Sequence, residues 1–454
     1  MDLRKAEAPV ARGAFDILLR VCLCALLCCT TGCASSPLSA GNSASIGELR
    51  AVRTPPKKIV AGKSEISTKF EYMGNVAWSP DSKQFALLQK TAEIVSIVVF
   101  DSATKKIVKT LEPKKCGPYK GIDPVILLRG DVAYSPDGRY LTGGVGIITL
   151  WDTKTWEPVK DILGPFARGS HAAGAVRSIA FSPDSKSLAI LYDYVIWPES
   201  IRVDGLMTLR ELRSSRIITD ESALMVYNID TMKRIFVVKD ERSTEIDKRK
   251  FRSFTGNISY SPDGENILTS HYGKIMHKHI TATDDPSKYY TYLNFRDPKT
   301  GTSRNEISDL HAMQIRTSSF SNNGKLFATS TNTGSKETTR NLLAGPWVWF
   351  KNHNEDPIRI WDANTGAKLM ELGPLRGTPK SLAFSPNDNV LVSCQTDIKE
   401  NETIWFWDLA SGQLIERVRT PRSGSEFKSC ALSPDGRTLA MPVMDKIYLV
   451  HIKQ

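Results

Sequence analysis

The sequence predicts an all-β fold: seven four-stranded antiparallel blades closed into a ring. Three observations carry that prediction. A turn signature of the Ser-Pro-Asp-Gly kind recurs seven times, a second hairpin signature follows each copy, and the array begins and ends on single unpaired strands.

The first signature runs "NVAWSPDSKQFALL" (75–88), "DVAYSPDGRYLTGG" (131–144), "SIAFSPDSKSLAIL" (178–191), "NISYSPDGENILTS" (257–270), "TSSFSNNGKLFATS" (317–330), "SLAFSPNDNVLVSC" (381–394) and "SCALSPDGRTLAMP" (429–442). Each is a short apolar-alternating run, a turn and a second apolar run. Proline at the second turn position presets φ for a type I turn, and Asp, Asn and Gly suit the positions after it. Each copy therefore reads as a hairpin.

The second signature follows each copy: "SIVVFDSATKKIVKTL" (96–111), "IITLWDTKTWEPVKDI" (147–162), "ALMVYNIDTMKRIFVV" (223–238), "TYLNFRDPKTGTSRNEI" (291–307), "IRIWDANTGAKLMEL" (358–372) and "IWFWDLASGQLIERV" (404–418). An aromatic closes the first strand in each, at Phe100, Trp151, Tyr227, Phe295, Trp361 and Trp407. The last copy, "KIYLVHIKQ" (446–454), has that first strand alone. Two hairpins in series, repeated seven times, give a seven-bladed β-propeller. From these residues, chiefly Trp151-Asp152, Trp361-Asp362 and Trp407-Asp408, the chain resembles the WD-repeat propellers over about residues 57–454. The Gly-His pair of that family is missing, Ser170-His171 being the near match, so its internal hydrogen-bond relay is expected to be absent or replaced. "PKKIVAGKSEI" (56–66) is an orphan strand, and pairing it with the truncated last repeat would cover two open edges and close the ring.

Residues 1–32 are of another kind. Arg4, Lys5, Arg12 and Arg20 precede the apolar run "VCLCALLCC" (21–29), followed by "TTGC" ending at Cys33. A basic region, a short apolar segment and small residues before a cleavage point make an export signal. The run is short of the about 20 residues needed to span a bilayer. Its end resembles the lipobox of bacterial lipoproteins, with Thr30 where Leu is usual, and the resemblance implies a lipid on Cys33. Ala34 and Ser35 follow, which in Gram-negative lipoproteins implies the outer membrane, facing the periplasm. Residues 33–55 then form a small, polar tether, and 56–454 the propeller. Five of the eight cysteines fall at or before Cys33. Cys394 and Cys430 can pair across neighbouring repeats or stand as buried free thiols, and the free thiol is the preferred expectation.

In a blade of four antiparallel strands, the two hairpin turns lie at one end of the ring. The links between second and third strands, and between blades, lie at the other. The short turns thus share one face and the long insertions the opposite face. Those insertions are 192–222, 271–290 and 332–357, in three consecutive repeats. Insertions gathered on one face of a repeat protein often mark a binding surface, which is the expectation preferred here over loops that merely decorate the face or plug the channel. They carry Tyr194, Trp197, Trp347, Trp349 and Phe350, aromatics of the type enriched at interfaces, together with Arg210, Arg213, Arg216 and Arg340. A net charge of +11 is read first as a plain solvated surface, with anionic headgroups or an acidic protein as the partners it could meet, while an exported chain disfavours nucleic acid.

Catalytic signatures are absent from the sequence: no nucleophile elbow, phosphate loop, dinucleotide fingerprint or zinc-protease helix. His277, His279 and His271 are read as exposed loop histidines, not metal ligands, and Asp152, Asp362 and Asp408 as turn residues. No cofactor and no metal are expected. The chain reads as a non-catalytic, lipid-anchored platform, a monomeric head that binds protein partners at the cell envelope. The alternative is a periplasm-facing propeller enzyme or small-ligand binder with its site at the central channel.

Overall fold

The computed structural model of the protein describes residues 59–68, 71–90, 95–113, 130–163, 172–196, 219–239, 250–275, 289–308, 315–331, 357–375, 377–397, 402–419, 429–443 and 445–453. These form seven four-stranded antiparallel sheets. The chain enters on β1 (Val60–Ser67). Blade 1 is β2 (Glu71–Trp78), β3 (Gln84–Lys90), β4 (Val95–Asp101) and β5 (Ile107–Leu111). Blade 2 is β6 (Asp131–Tyr134), β7 (Tyr140–Gly144), β8 (Ile147–Asp152) and β9 (Pro158–Leu163). Blade 3 is β10 (Ala172–Phe181), β11 (Ser187–Ile196), β12 (Thr219–Asn228) and β13 (Arg234–Lys239). Blade 4 is β14 (Lys250–Tyr260), β15 (Ile267–Ile275), β16 (Tyr289–Arg296) and β17 (Ser303–Ser308). Blade 5 is β18 (Ile315–Phe320), β19 (Leu326–Thr331), β20 (Ile358–Asp362) and β21 (Lys368–Leu372). Blade 6 is β22 (Gly377–Phe384), β23 (Val390–Asp397), β24 (Glu402–Asp408) and β25 (Leu414–Arg419). Blade 7 is β26 (Ala431–Leu432), β27 (Thr438–Val443) and β28 (Lys446–Ile452), completed by β1. The first strands of neighbouring blades touch one another and line the axis. This is the seven-bladed β-propeller that the repeats predict.

The core lies between blades. Leu88, Ile97 and Val99 of blade 1 pack with Leu141 and Trp151 of blade 2. Phe85, Leu87 and Val98 of blade 1 pack on the other side with Ile447 and Leu449 of blade 7. Alternation along each strand sends successive side chains to opposite neighbours, so a central strand is apolar on both faces. Each such buried side chain contributes about 1.5–3 kcal/mol, and every blade depends on two others for it. The strand-closing aromatics Phe100, Trp151, Phe295, Trp361 and Trp407 are all buried. Trp361 Nε1 donates to Thr329 Oγ1 at 2.9 Å and Trp407 Nε1 to Ser393 Oγ at 3.0 Å, tying third strand to second within the blade.

The short turns explain their own sequence. In all seven copies the opening serine accepts the backbone N–H five residues on, from Gln84 to Ser79 in the first and Thr438 to Ser433 in the last. The fourth turn residue has positive φ in every copy: Ser82, Gly138, Ser185, Gly264, Gly324, Asp388 and Gly436. Where it is glycine, the turn of the preceding blade lies beneath it, and a Cβ on Gly436 would come within 2.7 Å of Pro386 Cδ. Where it is not, its side chain grips the preceding turn. Asp435 N–H donates to Ser82 Oγ, Asp137 N–H to Ser185 Oγ, and Asn322 and Asn323 N–H to the Asp388 carboxylate. Blade 5 has Asn322 where proline is usual, and it is that N–H which Asp388 uses.

Asp152, Asp362 and Asp408 do cap the second turns: Lys154 and Thr155, Asn364 and Thr365, and Ser411 donate N–H to them. These hydrogen bonds hold the Asp152 carboxyl below the usual range.

Closure follows the expected strand exchange. β1 pairs with β28 from Val60 opposite Ile452 to Ser67 opposite Lys446. Glu416 of β25 in blade 6 accepts the N–H groups of Ile59 and Val60 at 2.7 and 2.9 Å. Two expectations are corrected. Cys394 and Cys430 form a disulfide between blades 6 and 7, because β23 and the segment before β26 bring their Cα atoms to 6.3 Å, within the bonding range. His271 is not an exposed loop residue: it lies in β15, is buried, stacks on Tyr292 with centroids 4.5 Å apart, and shares a hydrogen bond with Thr269.

Candidate binding face

The long-loop face is uneven, and strand length shows where. β11 and β12 each have ten residues and pair from Ser187 opposite Asn228 to Ile196 opposite Thr219. β14 and β15 pair from Tyr260 opposite Ile267 to Lys250 opposite Ile275. β19 of blade 5 has six residues. Four more residues at about 3.3 Å each raise blade 3 by roughly 13 Å over that level. Two adjacent blades thus form a crest, and the chain segments 197–218 and 276–288 spring from its tips.

Tyr194, expected in the insertion from 192, instead lies in β11, whose ladder runs on to Ile196 and sets it opposite Gly174 on β10 and Glu221 on β12. Cys33, Trp197, Arg210, Arg213, Arg216, Arg340, Trp347, Trp349 and Phe350 lie outside the described residues, as do His277 and His279.

Around the inner rim, first strands in and beside the crest carry bulges. The extra residue is Arg177 in β10, Arg316 in β18 and Lys380 in β22. These three partly exposed cations share one register position around the inner rim, toward the long-loop end. Arg177 is held by Asp193 of β11, with Nη2 to Oδ2 at 2.6 Å. A bulge turns its extra side chain out of the ladder, which is how a strand at the axis can present a cation there.

One set of buried and half-buried polar clasps between blades was not anticipated. Asp131 Oδ1 accepts Val132 N–H at 2.9 Å and Oδ2 accepts Ile179 N–H of blade 3 at 2.7 Å, with an additional bond from the Asn75 side chain of blade 1. The same position in later blades repeats the clasp. Ser178 Oγ accepts Ile258 N–H, Asn257 Oδ1 accepts Ser318 N–H while its Nδ2 donates to Ser318 O, and Ser381 Oγ accepts Cys430 N–H. Burial pushes the Asp131 carboxyl up to about 7, against the lowering effect of the hydrogen bonds. Its signal was present: the first residue of all seven turn signatures is Asn, Asp, Ser or Thr, although the strand pattern alone asks for nothing polar there. Both oxygens are committed to backbone N–H groups, so Asp131 ties three blades together.

No known protein-family profile matches the chain. The fold is widely shared, with 1185 solved chains similar to it, so the scaffold alone does not distinguish one role from another. One of them, from a "Crystal Structure of Mitotic Checkpoint Complex", aligns over 94% of this chain and 100% of its own at a TM-score of 0.56 and 14% identity. At that identity the likeness is one of fold. That neighbour was solved as part of the complex so titled.

Proposed function

We propose that the protein is a non-catalytic WD-repeat-type interaction platform at the bacterial cell envelope, held there by a lipid on Cys33, and that its long-loop face binds an acidic protein. One observation carries this reading. All seven short turns interlock on one face, while the other carries the crest of blades 3 and 4 and the inner-rim cations Arg177, Arg316 and Lys380. A surface free to vary on an invariant frame is where recognition resides. The Cys394–Cys430 disulfide supports export, since such bonds persist in oxidising compartments. The neighbour's place in a protein complex agrees with protein partners. The channel-enzyme reading draws on Asp131, whose ionisation falls near neutrality, yet that group is engaged in holding blades.

The test is crosslinking in envelope preparations, comparing the wild type with a chain lacking residues 345–350. Loss of one specific adduct, competed by added acidic protein and by salt, supports the platform. An unchanged adduct pattern removes that segment from the contact, and turnover of a small substrate by the purified ring would replace this reading with the channel enzyme.

A further inference from the structure

The strand that closes the ring also fixes the face from which the chain enters it. β1 runs antiparallel to β28, so its Val60 end lies beside Ile452 and its Ser67 end beside Lys446. Ile452 N–H bonds Arg437 O in the short turn of blade 7, and Lys453 N–H bonds Ile59 O. The Ile59 end is therefore at the short-turn face. Glu416 pins it there from the neighbouring blade through the N–H groups of Ile59 and Val60. The Ser67 end, where Thr68 donates to Asp445 O, is at the long-loop face.

We infer that the anchored ring turns its long-loop face away from the bilayer, and that its partner is a protein met from the aqueous side and not seated in that bilayer. This rests on the reading of Cys33 as the lipid-bearing residue. Tether length favours one orientation. Between Cys33 and Ile59 stand 25 residues, rich in small and polar types. Such a chain has a root-mean-square reach of about 25–30 Å. The eight residues of β1 span roughly 26 Å at ~3.3 Å per residue. Presenting the long-loop face to the headgroups would require the tether first to run the full height of the blade, which takes up about the whole of its root-mean-square reach and stretches the chain at a cost in entropy. With the short-turn face toward the membrane, all of that reach becomes clearance. Adhesion does not compete with this geometry. On the short-turn face, exposed Lys83, Arg139 and Lys186 alternate with Asp81, Asp137 and Asp184, whose carboxyls are held below the usual range by serine hydroxyl and backbone N–H donors and so stay charged. A face of mixed sign has no strong pull toward anionic lipid.

The experiment uses the mature full chain purified from envelopes, with Cys116→Ser to remove the one cysteine that follows Cys33 besides Cys394 and Cys430, and one donor fluorophore on either Lys154→Cys or Glu112→Cys. Lys154 is exposed in a short turn, and Glu112 is exposed just past the long-loop end of β5. The protein is reconstituted in phosphatidylethanolamine–phosphatidylglycerol vesicles carrying a headgroup acceptor, and intact mass reports the lipid. Energy transfer to the vesicle should fall when the donor moves from 154 to 112. A photo-crosslinker at Ser308, exposed at the long-loop end of β17 in blade 4, should capture the partner in envelopes, and one at 154 should not. Lipid present with equal or reversed transfer overturns the orientation alone. Adducts formed from 154 only, or with a protein integral to the same bilayer, overturn the partner assignment. A mass without lipid overturns the anchor and this inference together.

Discussion

On the short-turn face each of the seven turns leans on the next, through a proline under a glycine or through an N–H given to Ser82, Ser185 or Asp388. On the long-loop face the second-to-third strand link is residues 145–146 in blade 2 and residues 332–357 in blade 5. The same repeat, read at its two ends, is a bearing surface at one and an open rim at the other. The difference arises because a hairpin turn with a positive-φ residue has few workable sequences. A link that need only bridge two strand ends tolerates length, since each doubling of a loop costs only about 0.6 kcal/mol. Changes on the first face should therefore register as stability, and changes on the second as lost binding.

The largest effect is expected at closure. Removing residues 56–66 leaves β28 with an open edge and Glu416 without the N–H groups it holds. Soluble expression should collapse, or the thermal transition should become broad and concentration-dependent. A soluble deletant with an unchanged transition would show that blade 7 closes without β1. Next comes the disulfide. Its cysteines are 36 residues apart, and opening a loop of that size forfeits about 4 kcal/mol in the chain-entropy account. Cys394→Ala should lower the midpoint by several degrees and abolish any further shift on adding reductant. A wild type insensitive to reductant would remove the bond from the account of stability.

How much of this was legible follows from the range of each interaction. The hairpins were readable because every determinant of an Ser-Pro-Asp-Gly turn lies within six residues. Closure was readable because a repeat one strand short at one end and an orphan strand at the other admit one pairing. The Cys394–Cys430 bond and the Asp131 clasp join different blades, and nothing local separates a clasping Asp131 from a residue that merely starts a strand. His271 misled because it opens the stretch 271–290 read as an insertion, whereas β15 extends through residue 275 and buries it against Tyr292. Of the proposed contact residues, the ladder places Tyr194 alone.

Asp131 gives the third effect and a pH signature. Its folded-state carboxyl is raised to about 7, so the folded chain binds a proton that the unfolded chain releases near the ordinary range of about 4. Its contribution is fully present below about pH 4 and is lost as pH rises toward 7, a change of order 2–4 kcal/mol. The capped turn carboxyls such as Asp101 and Asp152 act oppositely, being lowered, and withdraw stability only below that range. Urea midpoints from pH 4 to 8 should therefore slope down in the wild type. Asp131→Asn should flatten that slope at the expense of about 1 kcal/mol at pH 4–5, one amide N–H now facing a backbone N–H. A wild-type profile flat over this interval would mean the carboxyl ionises freely where it lies.

The smallest effects separate the two faces most directly. Asp388→Gly relieves a positive φ but loses the bonds from Asn322 N–H, Asn322 Nδ2 and Asn323 N–H, at 2.7, 2.8 and 2.9 Å. A net loss of roughly 1–2 kcal/mol follows, from about 1 kcal/mol per bond less the strain released. Ser82→Gly loses one bond and gains the same relief, so it should lie within about 0.5 kcal/mol of the wild type. Deleting residues 345–350 on the opposite face should leave the unfolding midpoint where it was while removing the envelope adduct. If instead that deletion destabilises the ring as much as Asp388→Gly does, the long excursions belong to the frame, and the division between a bearing face and a recognition face fails.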